Sequence, residues 1–112
     1  MDLTFAIAVS AHLGLAGDYN AVHPHVRLSQ GHAIAGAYLN SETRLSLYAG
    51  LRAERGGWFI EGGAVTGYSG ADVAPYLRAG RDFGRVTVFV APAYEYEPQR
   101  RFGAVVGVEY RF

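Results

Sequence analysis

The last twelve residues read Arg101-Phe102-Gly103-Ala104-Val105-Val106-Gly107-Val108-Glu109-Tyr110-Arg111-Phe112. Taken alternately, they split into two unlike sets. One is Phe102, Ala104, Val106, Val108, Tyr110 and Phe112; the other is Gly103, Val105, Gly107, Glu109 and Arg111. A period of two is the signature of a β-strand, whose successive side chains leave opposite faces. The first set is greasy and has aromatics at its ends. The second mixes small residues with opposite charges.

Working outward, the same unit recurs along the chain. Alternating runs fall near 3–13, 21–28, 31–39, 43–53, 57–68, 72–81, 85–95 and 101–112. Between them stand turn residues: Gly17-Asp18, Ser29-Gln30-Gly31, Asn40-Ser41, Arg55-Gly56-Gly57, Ser69-Gly70, Phe83-Gly84 and Pro98-Gln99-Arg100. These are glycine, proline, Asn and Asp signals of tight connections. Strand four sets Leu45, Leu47, Ala49 and Leu51 against Arg44, Ser46, Tyr48, Gly50 and Arg52. Strand five sets Trp58, Ile60, Gly62, Ala64, Thr66 and Tyr68 against Phe59, Glu61, Gly63, Val65 and Gly67. Strand two opposes Val22, Pro24, Val26 and Leu28 to His23, His25 and Arg27, and strand six opposes Val73, Pro75, Leu77 and Ala79 to Asp72, Tyr76 and Arg78. Strand seven opposes Val86, Val88, Val90, Pro92 and Tyr94 to Thr87, Phe89, Ala91, Ala93 and Glu95. Strand three shows no preference between its faces. The expected fold is all-β: a closed, eight-stranded, antiparallel up-and-down barrel occupying residues 1–112 as one domain.

Which face looks outward decides the surroundings. The interior of an eight-stranded barrel is only just wide enough for side chains. Glycines and Glu–Arg pairs suit that space, so the valines and leucines are expected on the outside, against lipid. Trp58, Tyr68, Tyr94, Tyr110 and Phe112 then fall near the membrane interfaces. Strands of roughly 9–11 residues are what a tilted β-strand needs to cross a bilayer. The alternative is a soluble ligand-binding barrel with the faces exchanged. Apolar stretches of about ten residues are too short for a membrane-spanning helix, which needs roughly 20. The chain has no cysteine, and its 10 arginines, with no lysine, balance 10 acidic residues. That balance argues against nucleic acid as a partner. No cofactor is implied. The acidic, alternating start is unlike a signal peptide. Met1 reads as an added initiator before a mature exported chain, and nothing suggests self-association.

The ending Gly107, Tyr110 and Phe112 resembles the signal that outer-membrane barrels of Gram-negative bacteria present to their assembly machinery. Val105 stands where that signal has a polar residue. In such barrels both termini and the short turns are periplasmic. The connections at 14–20, 40–42, 69–71 and 96–100 then lie on the outer rim, together with His12, Asn40 and Ser41. A histidine and a serine on one rim make a candidate base and nucleophile; Asn-Ser is also an ordinary turn pair. Pro24, Pro75 and Pro92 lie inside strands, where proline is rare because it cannot donate a ladder hydrogen bond. A turn centred on Phe83-Gly84 sets Pro75 opposite Pro92 and opens a slot between strands six and seven. A bulge that bends the wall is the alternative.

These features together resemble the outer-membrane lipid A palmitoyltransferases. That family has a histidine late in strand one, an Asp-Ser pair after strand three, and prolines that open lateral gaps. His12, Ser41, Pro24, Pro75 and Pro92 stand at similar places. Tyr19-Asn20 before Pro24, Val86-Thr87-Val88-Phe89 before Pro92, and the closing Tyr110-Arg111-Phe112 also look similar, so the likeness covers most of the chain. The resemblance implies acyl transfer from a phospholipid to lipid A. His12 and Ser41 would form the central pair and Asn40 would orient or polarise. Gly63 or Gly67 would help floor the acyl chain, and Arg44, Arg100 and Arg101 would meet lipid A phosphates, ordinary solvation at the rim being the alternative for each. Three departures stand out: Asn40 replaces the family's aspartate, its N-terminal amphipathic helix has no counterpart in these residues, and the outer loops are shorter. A non-enzymatic barrel, structural, adhesive or receptor-blocking, is the competing expectation, favoured by a charge-packed lumen. His23 and His25 share a strand face at metal-ligand spacing, but no acid or thiolate lies near them in sequence, and no metal site is expected.

Overall fold

In the computed structural model, residues 1–13, 21–40, 42–67, 72–95 and 101–112 are described, the side chains of 93–95, 101 and 102 excepted. Three two-residue loops shape one end. Gln30 pairs with Ala33 around Gly31-His32, Arg55 with Trp58 around Gly56-Gly57, and Phe83 with Val86 around Gly84-Arg85. Gly31, Gly56, Gly57 and Gly84 all take left-handed φ values between 60° and 86°. Such loops match the twist of the flanking strands, and glycine adopts them without steric penalty.

The strands are β1 (Asp2–Leu13), β2 (Val22–Gln30), β3 (Ala33–Leu39), β4 (Leu45–Arg55), β5 (Trp58–Thr66), β6 (Val73–Phe83), β7 (Val86–Glu95) and β8 (Arg101–Arg111). Each pairs antiparallel with the next, and β8 returns to β1 to close an eight-stranded barrel. The molecule measures 40 × 24 × 22 Å, long enough along one axis for the strands to run end to end. Closure through the β1–β8 pairing leaves no terminal strand as a free sheet edge.

The expected faces are the observed ones. Leu3, Phe5, Ile7, Val9, Leu45, Leu47, Val88 and Val108 are exposed on the outer wall, and Leu51 is 66% exposed. Glu61, Thr87 and Glu109 are buried inside. The exchanged arrangement, with valines inside and charges outside, does not occur. Strand three is resolved as well: Ile34, Gly36 and Tyr38 lie on the lumen side, and Ala33 and Ala35 are exposed on the wall. Trp58, Phe83, Tyr110 and Phe112 gather on the outside at the short-loop end. There Arg81 lies 5.1 Å from the Trp58 ring and 5.2 Å from the Phe83 ring. Tyr68 is outside the described residues, as is the side chain of Tyr94.

One expectation is corrected. The β6–β7 loop is centred between Gly84 and Arg85, so Phe83 meets Val86 and Ala79 meets Val90. Continuing that register sets Pro92 level with Leu77 and Pro75 level with Tyr94. The prolines are therefore two residues out of the expected face-to-face position. The wall still changes where they stand. Among the described residues the β6–β7 ladder ends at Ala79↔Val90, although β6 continues to Val73 and β7 to Glu95. Likewise the β2–β3 ladder ends at His25↔Tyr38, one residue short of Pro24.

Narrowness governs the lumen. A Cβ on Gly80 would strike the carbonyl oxygen of Val88 and the Cα of Phe89. Gly80→Ala is expected to cost roughly 1–3 kcal/mol through overpacking. A fall in the urea-unfolding midpoint relative to the parent checks this.

Candidate functional site

The middle of the lumen is a charge cluster built from alternate residues of five strands. Glu61, on β5, is 2% exposed. Its Oε1 accepts from Arg27 Nη2 at 2.7 Å and from Arg78 Nε at 3.0 Å, and its Oε2 accepts from Arg27 Nη1 at 3.0 Å and Arg52 Nη1 at 3.1 Å. Arg52 also donates to Asp82 at 2.7 Å and to Glu54 at 2.5 Å. Glu109 faces His25 Nδ1 at 3.0 Å and Arg78 Nη1 at 3.8 Å. The Tyr48 hydroxyl accepts from Arg27 Nε at 2.7 Å and lies 2.6 Å from His25 Nε2. Arg52 stacks 4.0 Å from the Phe59 ring centre and Arg78 lies 4.8 Å from that of Phe89. Guanidinium planes thus fill the bore with both charge and ring contacts satisfied.

Below this cluster, toward the short loops, lies a polar vestibule of about 350 Å³ lined by Asp2, Thr4, Ser29, His32, Glu54 and Arg111 among others. Above it, toward the longer connections, stands a second polar group. Asn40 is fully buried. Its Nδ2 donates to Ser46 Oγ at 2.8 Å and to the Gly67 carbonyl at 2.7 Å. Its Oδ1 accepts from the backbone N–H groups of Glu42 at 2.8 Å and Arg44 at 3.1 Å. A side-chain amide has two N–H donors and two acceptor lone pairs, and these four bonds engage all of them. Asn40 therefore ties the β3–β4 turn, where Thr43 takes φ 60°, to β4 and to the end of β5.

Beside it, Ser10 Oγ lies 2.6 Å from His23 Nε2, and His23 Nδ1 lies 2.9 Å from the Leu39 carbonyl oxygen. A carbonyl can only accept, so Nδ1 carries the proton and Nε2 accepts from the Ser10 hydroxyl. Both side chains are buried, on the lumen faces of adjacent strands. Ala8 pairs with His23, which brings Ser10 diagonally against the imidazole. Residue-by-residue reading passed over this pair, taking His23 only as a metal candidate with His25. The pairing depends on the β1–β2 register, which no local pattern in the sequence specifies.

Of the residues expected to act, His12 stands on the lumen side of β1, half-buried, paired in the backbone with Val105. Ser41 lies outside the described residues, as do Arg100 and the Arg101 side chain. Arg44 is exposed at the foot of β4. Gly67 sits beside Asn40, with φ 90°, and a Cβ there would collide with the Leu45 carbonyl. A Cβ on Gly63 would collide with the Ala49 carbonyl, so close strand approach requires glycine at both. Pro24, Pro75 and Pro92 are exposed on the outer wall. Tyr110 and Phe112 meet edge to face at 5.3 Å outside, while Gly107 makes room for the Phe89 ring inside. Compared with known proteins, the chain matches no family model, no curated protein and no solved structure.

Two variants probe these clusters. Glu61→Gln removes the one carboxylate shared by Arg27, Arg52 and Arg78, and a broken buried pair costs roughly 3–5 kcal/mol. Asn40→Ala strands buried groups of the β3–β4 turn, at roughly 1–3 kcal/mol for each group left unsatisfied. Both are expected to lower the urea midpoint, Glu61→Gln more. Equal midpoints for Glu61→Gln and the parent would contradict the cluster's role.

Proposed function

We propose that the chain is a transmembrane barrel of a Gram-negative outer membrane that handles lipid acyl chains, as an acyltransferase acting between phospholipid and lipid A. Support for the membrane setting is the inverted distribution of polarity. An apolar outer wall surrounds an ion-paired lumen, with aromatics and Arg81 at the short-loop end. Water around such a wall would leave a large apolar surface uncovered. The terminal Gly107, Tyr110 and Phe112 would be read by the assembly machinery.

The observation that carries acyl handling is the interrupted β6–β7 ladder. Unpaired backbone groups in hydrocarbon cost several kcal/mol each, so a wall of this kind normally closes throughout. Pro75 and Pro92 carry no N–H, which lessens that cost where the ladder is missing. An opening there connects the bilayer with the upper lumen rather than with the charge cluster. The row of paired residues His12, Val105 and Ala91 is the first at which β7 has no β6 partner. His12 would act from that row together with Asn40 and Ser41, and Arg44, Arg100 and Arg101 would meet phosphates. The filled centre supports a second reading, a non-catalytic barrel, because it blocks the bore along its length.

Expression in an outer-membrane-bearing host, followed by mass spectrometry of lipid A, separates the two. Acyl transfer predicts an added acyl mass with the parent chain, diminished at least tenfold by His12→Ala or Ser41→Ala. An unchanged lipid A profile with folded parent protein in the membrane favours the non-catalytic barrel. Recovery of folded protein in aqueous extracts without detergent contradicts the membrane setting itself.

A further inference from the structure

We infer that Ser10 and His23 form a nucleophile–base pair that carries the acyl group as a Ser10 ester, in place of the His12–Ser41 pair; this rests on the acyl-handling reading above. The geometry has the parts such chemistry needs. The hydroxyl lies 2.6 Å from an imidazole nitrogen with a free lone pair. A third group, the Leu39 carbonyl at 2.9 Å, holds the ring in the tautomer that can accept a proton. A backbone carbonyl replaces the carboxylate of the familiar triad; it orients the ring without bringing a second charge into the lumen. Neither member takes part in the Glu61 cluster, which lies deeper.

The pair stands on β1 and β2, level with the last paired rungs of β6 and β7. Ser10 pairs with Gly107, Gly107 with Phe89 and Phe89 with Gly80. Gly80 is the neighbour of Ala79, where the β6–β7 ladder ends. Val105 packs on the apolar cluster of Ala8, Phe59 and Phe89, giving the wall between opening and hydroxyl an apolar lining. The chemical class of substrate is therefore a long-chain carboxylic ester entering from the bilayer side.

The step balances without a cofactor. Ser10 Oγ attacks the ester carbonyl carbon while His23 Nε2 takes the hydroxyl proton. The carbon–oxygen bond to the glycerol breaks, and the imidazolium returns the proton to the departing oxygen, leaving a lysophospholipid and acyl-Ser10. An acceptor hydroxyl then attacks the acyl carbon, His23 takes its proton, and Ser10 recovers it as the second ester forms. Water in place of the acceptor gives a free fatty acid.

The test uses the full chain folded into phosphatidylethanolamine vesicles and a long-chain alkyl fluorophosphonate. The expected result is one covalent adduct per chain, located on Ser10 by peptide mass spectrometry. It is absent in Ser10→Ala and forms roughly a hundredfold more slowly in His23→Gln. Because the chain contains no cysteine, Ser10→Cys supplies a second measurement: its single thiol should react with iodoacetamide faster when His23 is present than in the Ser10→Cys, His23→Gln double variant. Folded parent protein that stays unlabelled, or labelling that persists in Ser10→Ala, overturns the assignment. Lipid A remodelling that survives in Ser10→Ala but not in His12→Ala also overturns it, while leaving acyl transfer standing. An adduct on Ser10 with lipid A and phospholipids unchanged in cells supports the pair and discards the acyl-transfer reading.

Discussion

Glu61 accepts hydrogen bonds from three guanidiniums at once, and the interior is organised around that carboxylate. An eight-stranded barrel has no room for a hydrated ion atmosphere, so charges inside it must neutralise one another by direct contact. Arg27, Arg52 and Arg78 come from three different strands: Arg52 and Arg78 flank Glu61 from the neighbouring β4 and β6, and Arg27 reaches it across the bore from β2. Tyr48, His25 and Glu109 extend the cluster sideways. Phe59 and Phe89 offer ring faces to the same cations. Removing the shared anion would leave three positive charges where neither water nor another carboxylate replaces it in full.

That filled centre divides the molecule. Toward the short loops it closes the floor of a polar vestibule. Toward the longer connections it leaves a separate region in which Asn40 secures the β3–β4 turn and His23 joins Ser10 to the Leu39 carbonyl. The wall beside that region is the part where strand pairing between β6 and β7 stops. The hydroxyl–imidazole pair lies on the lumen faces of β1 and β2, level with the rungs at which the described β6–β7 ladder ends.

Much of the architecture was legible in the residue order. Alternation marked all eight strands to within about two residues. Charged residues such as Glu61, Arg78, Glu109 and Arg111 alternate with apolar ones and balance in sign, so their common face was readable too. The rows of Val and Leu followed by elimination. Strand three was not readable: its alanines and Gly36 are small on both faces, so polarity does not separate them, and only Ile34 and Tyr38 packing against Tyr48 settles its orientation. The Pro75–Pro92 placement failed by two residues because Gly84 opens the hairpin rather than sitting at its centre. Hairpin register depends on loop geometry, and a one-position error in the centre moves every partner by two.

The amino-acid order by itself determined the number of strands, the faces of all but the third and the contrast between an apolar wall and a charged lumen. Those properties depend on the side-chain period of a strand, which is local. Only the tertiary structure decided which charges share Glu61, where the described β6–β7 ladder ends, and that Ser10 meets the His23 imidazole. Those are relations between strands far apart in sequence, set by register and barrel closure, and no local pattern encodes them.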